Sequence, residues 1–101
     1  MIDKDKSLQE LIDQIFKNFG RDTFIIRDYW DDFFAIGFER NKRLIYISTE
    51  GSGYEDYFYE CEILLDGEDR PYKSYEYNNA DTKKIMSVIE SFFEIKGINR
   101  I

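Results

Sequence analysis

Apolar residues recur every three or four positions from Leu8 to Phe19, a spacing that predicts an amphipathic helix. The stripe is Leu8, Leu11, Ile12, Ile15, Phe16 and Phe19. Ser7-Leu8-Gln9-Glu10 has the form of a capping box, with Ser7 at the N-cap, and Gly20 offers a C-terminal stop. Beyond Gly20 the period shortens to two. Thr23 to Arg27, Phe33 to Glu39, Leu44 to Thr49, Tyr57 to Leu65 and Tyr72 to Tyr77 read as strands. Tyr57 to Leu65 is expected to be the longest of them and Tyr72 to Tyr77 the weakest. Polar and glycine-rich segments punctuate the series. Asp28 to Asp32 reads as a loop or bulge, Glu39 to Lys42 as a hairpin turn, Glu50 to Gly53 as a break and Asp66 to Pro71 as a second turn. Asn79 or Asp81 then caps a closing helix whose stripe, Ile85, Val88, Ile89, Phe92 and Phe93, runs out at Gly97.

The order α-β-β-β-β-β-α, with short links between strands, favours an antiparallel meander of about five strands. Two amphipathic helices can cover one face of such a sheet, so the expected class is α+β. At 101 residues the chain is expected to form a single domain, residues 1–101.

Alternation along each strand sorts side chains between the two faces. Phe34, Ile36, Phe38, Ile45, Ile47, Tyr57, Tyr59, Cys61, Ile63 and Leu65 fall on the side suited to the helices. Phe33, Ala35, Gly37, Glu39, Leu44, Tyr46, Ser48, Phe58, Glu60, Glu62 and Leu64 fall on the other. Glu60 and Glu62 should sit about 7 Å apart there. Aromatic groups with peripheral charge suit a recognition surface. The competing reading is a face covered by the tail or by a second subunit.

Charge sharpens the first reading. The chain has 21 acids and 14 bases. Leu44 to Asp69 holds eight of the acids and no Lys or Arg, so the rest of the chain, with 13 acids and 14 bases, is almost neutral. All of the net −7 is therefore concentrated in one segment that also contains Tyr46, Tyr54, Tyr57, Phe58 and Tyr59. Such a surface attracts cationic partners. A sequence pI of about 4.6 argues against direct contact with nucleic acid or an anionic membrane.

Several chemistries lose their usual components. The chain has no histidine, which removes the commonest general base and most zinc sites. The single cysteine, Cys61, permits no internal disulfide and fits a reducing cytoplasm. It lies on the expected core face without a basic neighbour in sequence, so an inert buried thiol is expected. No apolar run reaches membrane-span length, and the first residues lack a signal-peptide apolar region. Gly51-Ser52-Gly53 lacks the following helix and the Lys-Ser/Thr pair that a phosphate loop needs. Glu60 and Glu62, alone or with Asp56, have the spacing of paired carboxylates or hard-cation ligands. No calcium-loop pattern accompanies them, and a solvated strand face is the better reading. Lys83 and Lys84 near the start of the last helix oppose its macrodipole. No catalytic set, cofactor or metal ligand set is expected, and the chain reads as a non-enzyme.

The layout, with Arg43-Leu44-Ile45-Tyr46-Ile47-Ser48-Thr49, Tyr57-Phe58-Tyr59-Glu60-Cys61-Glu62 and the closing helix from Asp81 to Lys96, resembles the small cytoplasmic immunity proteins of bacterial polymorphic-toxin and contact-dependent growth inhibition systems. That resemblance implies an antidote that binds a cognate toxin domain, often a basic nuclease, and blocks it. No functional residue transfers by motif. The residues expected to contact such a partner come from charge and alternation. Glu55, Asp56, Glu60 and Glu62 are the charge contacts, with Tyr54, Tyr46 and Phe58 as anchors. Asp31, Asp32 and Trp30 form a second group, which reads equally well as a turn. A monomer is favoured. Two alternatives stay open: a nucleic-acid mimic that inhibits a DNA-binding enzyme, and a homodimeric adaptor that buries the mixed sheet face.

Overall fold

The computed structural model describes residues 4–28, 32–49, 56–64 and 71–97, with the backbone alone at Leu64 and along 71–79. Helix α1 spans Lys6–Phe19 and is followed by a 3-10 turn, Arg21–Thr23. Strands β1 (Ile25–Arg27), β2 (Ala35–Arg40), β3 (Arg43–Ser48), β4 (Tyr57–Leu64) and β5 (Pro71–Ala80) come next, and α2 (Thr82–Phe93) closes the fold. The strands lie in chain order in one sheet, every neighbouring pair antiparallel. The broad expectation of an α+β domain, a meander between an N-terminal and a C-terminal helix, fits this arrangement.

The apolar stripes explain the packing. Leu8, Leu11, Ile12, Ile15 and Phe19 of α1 join Ile85, Met86, Ile89 and Phe93 of α2 in one cluster. The sheet contributes Ile36, Phe38, Ile45, Ile47, Tyr57, Tyr59 and Cys61. Both helices therefore share a single face of the sheet with the core between. Phe24 closes one end, with its ring 5.6 Å from Phe38 and 5.1 Å from Phe93. Tyr57 ties α1 to β4: its hydroxyl donates to the Ser7 carbonyl at 2.9 Å and accepts from Ser7 Oγ at 3.2 Å.

Several local expectations change. The start of α1 carries no capping box. Asp5 is the N-cap, without a side-chain hydrogen bond, and Ser7 lies inside the helix with its hydroxyl donating to Tyr57. Gly20 does end α1, at φ +95°, where its amide donates to the Phe16 carbonyl. Asp81 caps α2 by accepting the Lys84 amide. That helix is capped at Glu94, whose left-handed backbone sends its amide to the Glu90 carbonyl, three residues before the expected stop at Gly97. Gly97 instead packs against Asn18, and its amide donates to the Glu90 carboxylate at 3.0 Å.

The longest strand is β5, ten residues against eight in β4. Polar residues such as Lys73, Ser74, Asn78 and Asn79 weaken the strand signal in sequence, yet pairing along β4 carries the ladder to Ala80. Phe34 is not a core residue. It belongs to the turn before β2 and is 39% exposed. The β2–β3 hairpin turns on Asn41 and Lys42, both at positive φ, as the two-residue turn that matches strand twist requires. The expected turns at Glu50 to Gly53 and Asp66 to Arg70 lie outside the described residues.

Candidate functional site

The sheet face opposite the helices is built by register. Tyr46 pairs with Glu60, Ser48 with Phe58 and Leu44 with Glu62. Directly paired residues of an antiparallel sheet share a face. Phe58, Glu60 and Glu62 therefore form a row along β4, beside Tyr46 in the middle of β3. On the other flank Gly37 pairs with Tyr46 and with Arg27, and Glu39 pairs with Leu44 and Ile25. Four residues expected to meet a partner, Tyr46, Phe58, Glu60 and Glu62, are thus gathered in one patch, all half-buried.

The face is less open than alternation alone suggests. Ala35, Leu44 and Ser48 point away from the helices but are buried. Gly37 explains Leu44. A methyl group on Gly37 would lie 3.2 Å from Leu44 Cδ1 and 3.1 Å from Arg27 Cβ. The missing side chain lets both neighbours close over the strand. Glu39 is held by Arg27 through a 2.8 Å ion pair, so its charge is compensated within the chain.

Glu62 differs. Its carboxyl is pushed up from 4.5 to about 7, first by burial, then by a side-chain hydrogen bond with Glu60 and by that neighbour's negative charge. Two carboxyls that hydrogen-bond share a proton, since two ionised oxygens repel. The pair therefore approaches more closely than the 7 Å spacing expected from alternation. A cation in contact would draw the Glu62 carboxyl down, not up. Among the described residues no ion pair compensates Glu62.

The remaining expected contacts separate. Asp56 is half-buried just before β4. Asp32 has a local duty, its carboxylate accepting the Phe34 amide at 2.9 Å while its carbonyl accepts the Lys4 ammonium at 2.7 Å. Lys4 is almost fully buried and also pairs with Asp28. The amide of Asp5 donates to the Phe33 carbonyl at 2.9 Å, so the segment before α1 is bound to the loop before β2. That loop presents Phe33, 46% exposed, edge-on to Phe34 with ring centres 5.1 Å apart. Phe33 has outward parity in sequence, but the anchoring lysine leaves no such signal. Glu55, Tyr54, Asp31 and Trp30 lie outside the described residues.

Cys61 is buried on the core face, as expected, and its thiol is pushed up to about 11 by burial and by the Glu60 charge. A thiol so disfavoured as thiolate is a poor nucleophile. Among the described residues no group of three or more His, Cys, Asp or Glu side chains is placed to hold a metal ion, and no helix is long and apolar enough to cross a membrane. No family model matches the chain, and neither a curated protein nor a solved structure matches it.

Proposed function

We propose that the chain is a non-enzymatic binding protein whose outer sheet face receives a cationic protein, and that it acts in the cytoplasm as a small immunity protein against a basic, nuclease-type toxin domain. The observation that supports this reading is the register that sets Tyr46 beside Glu60 and places Phe58 and Glu62 along the same row. Crowded carboxyls, with no ion pair to Glu62 among the described residues, favour an incoming lysine or arginine. Partner charge would lower the Glu62 pKa, so that the shared proton leaves to solvent and the carboxylate forms a full ion pair. Aromatic neighbours supply the apolar area that slows dissociation. Nuclease domains carry cationic clefts for phosphate backbones, so a clustered acidic patch is their natural complement.

The test is to read the neighbouring gene and, if it encodes a large protein with a basic C-terminal domain, to co-express the chain with that domain. The chain should restore growth and co-purify with that domain. Replacing Glu55, Asp56, Glu60 and Glu62 together by Gln or Asn should cost at least about a hundredfold in affinity, since close charge pairs at interfaces couple by roughly 1.5 kcal/mol or more each. Thermal stability should not fall. Unchanged affinity in that variant would remove the site. Equal inhibition of many unrelated DNA-binding proteins, relieved by added DNA, would turn the reading toward a nucleic-acid mimic. A stable dimer in sedimentation that protects Tyr46 and Phe58 would turn it toward an adaptor.

A further inference from the structure

Helix α2 carries two stripes, one fully in the core and one at its edge, where Val88 and Phe92 pack against the core cluster half-buried. Ile85, Met86, Ile89 and Phe93 are buried. Beside them Lys84, Ser87, Val88, Ser91 and Phe92 follow the i, i+3, i+4, i+7, i+8 spacing of a second face. This second stripe lines a groove of about 520 Å3, closed on its sheet side by Arg43, Tyr59 and Cys61. The volume falls within the roughly 300–1,000 Å3 typical of small-molecule sites. The groove lies on the helix-covered side of the sheet, away from the patch around Tyr46 and Glu60.

Its chemistry runs against the rest of the molecule. The chain carries a net charge of −7, yet among the described lining residues the only charged side chains are Arg43 and Lys84, both cationic. Neither has a carboxylate partner among the described residues. Arg43 is held in place rather than free to sweep: its guanidinium donates to the Phe92 carbonyl and lies over the Phe92 ring, 5.8 Å from its centre. One N–H group is used at that carbonyl, and a guanidinium has five. Lys84, Ser87 and Ser91 are exposed at the rim. Val88 and Phe92 are half-buried, and Tyr59 and Cys61 form a buried floor. Among the described lining residues, polar donors thus stand at the opening above Val88, Phe92 and the buried floor, the pattern of a ligand site.

We propose that this groove binds a small organic anion, a carboxylate or phosphate carried on a flat apolar body. The apolar part packs on Val88 and Phe92 against the Tyr59 and Cys61 floor. The anionic head is met by Arg43 and Lys84, with the Ser87 and Ser91 hydroxyls as further donors. This site is independent of the outer sheet face, so either can fail without the other.

The full-length chain, labelled for amide NMR, is titrated with phenyl phosphate, benzoate, inorganic phosphate and benzylamine. Phenyl phosphate or benzoate should give saturable shifts at Arg43 and along Lys84 to Phe92, and should slow alkylation of Cys61. Which of the two binds more tightly identifies the head group. Lys84→Glu should weaken binding about tenfold or more without unfolding the chain, because Lys84 is exposed and an acid suits the first turn of a helix. Ser91→Trp, which fills the slot, should abolish the shifts. The proposal is overturned by an absence of saturable shifts with either aromatic anion. It is equally overturned if inorganic phosphate or benzylamine binds as well, or if Lys84→Glu leaves affinity unchanged.

Discussion

The two faces of the sheet are made from the same strands, often from adjacent residues, yet they obey different rules. On the helix side Ile36, Phe38, Ile45 and Ile47 are fully buried in one apolar cluster. On the other side Tyr46, Phe58, Glu60 and Glu62 stop half-buried, and the Glu62 carboxyl is pushed up by burial and by Glu60. The inner face is fixed by area removed from water, which scales with apolar surface and asks for little else. The outer face retains a carboxyl, Glu62, whose ionised form is disfavoured where it stands. A fold gains nothing from that crowding by itself, which is why the outer face and not the core is the place to look for a partner.

The largest test of the contrast is a pair of truncations. Ile45→Ala on the inner face should cost about 2–5 kcal/mol in urea unfolding, because a buried cavity is left behind. Phe58→Ala on the outer face should cost well under half as much. Equal losses would mean that the two faces are equivalent cores.

A smaller effect is expected at the seam of the outer face. Gly37→Ala places a methyl group within 3.1–3.2 Å of Arg27 Cβ, the Arg27 carbonyl and Leu44 Cδ1. The backbone carbonyl can give way only if the strand shifts, so a destabilisation of about 1–3 kcal/mol is expected from overpacking. The Arg27–Glu39 ion pair should loosen with it. A neutral result would show that Leu44 and Arg27 close over the strand for some other reason.

The finest test is pH. The Glu62 carboxyl is raised from 4.5 to about 7. Between those values the folded chain holds a proton that the unfolded chain releases, so this group favours folding as pH falls. Its contribution is complete below about 4.5 and is lost as pH rises through 7. Melting temperatures of the parent and of Glu62→Gln should therefore diverge from pH 5 to pH 8, the parent falling relative to the variant. Parallel curves would show that Glu62 is an ordinary solvated carboxylate.

Much of this was legible in the residue order, for a specific reason. Period-two alternation assigns Ile45, Ile47, Tyr59 and Cys61 to the core and Tyr46, Glu60 and Glu62 to the outside, and the register joins the outer three without any further rule. What alternation could not convey was spacing across strands. It left Leu44 and Ala35 on an open face, whereas Gly37 and its neighbours bury Leu44. It also placed Phe34 in the core, although the turn before β2 breaks the alternation one residue too early. Lys4 offered no signal at all, since its buried pairing with Asp28 joins positions 24 residues apart. The groove along α2 was half visible. Lys84 stood out as a cation on the wrong end of a helix dipole, but its companion Arg43 comes from another element.

The hairpin at Asn41 and Lys42 has a consequence in time. Its two left-handed residues join β2 and β3 with the fewest intervening positions of any strand pair in the sheet. Short loops close in tens of nanoseconds and hairpins zip in microseconds, so Gly37 and Tyr46 meet early as the chain collapses. Glu60 and Glu62 are joined to that hairpin across the longer link between β3 and β4, whose closure costs more chain entropy. The part of the outer face contributed by β2 and β3 therefore depends on a tighter link than the part that carries the acidic pair.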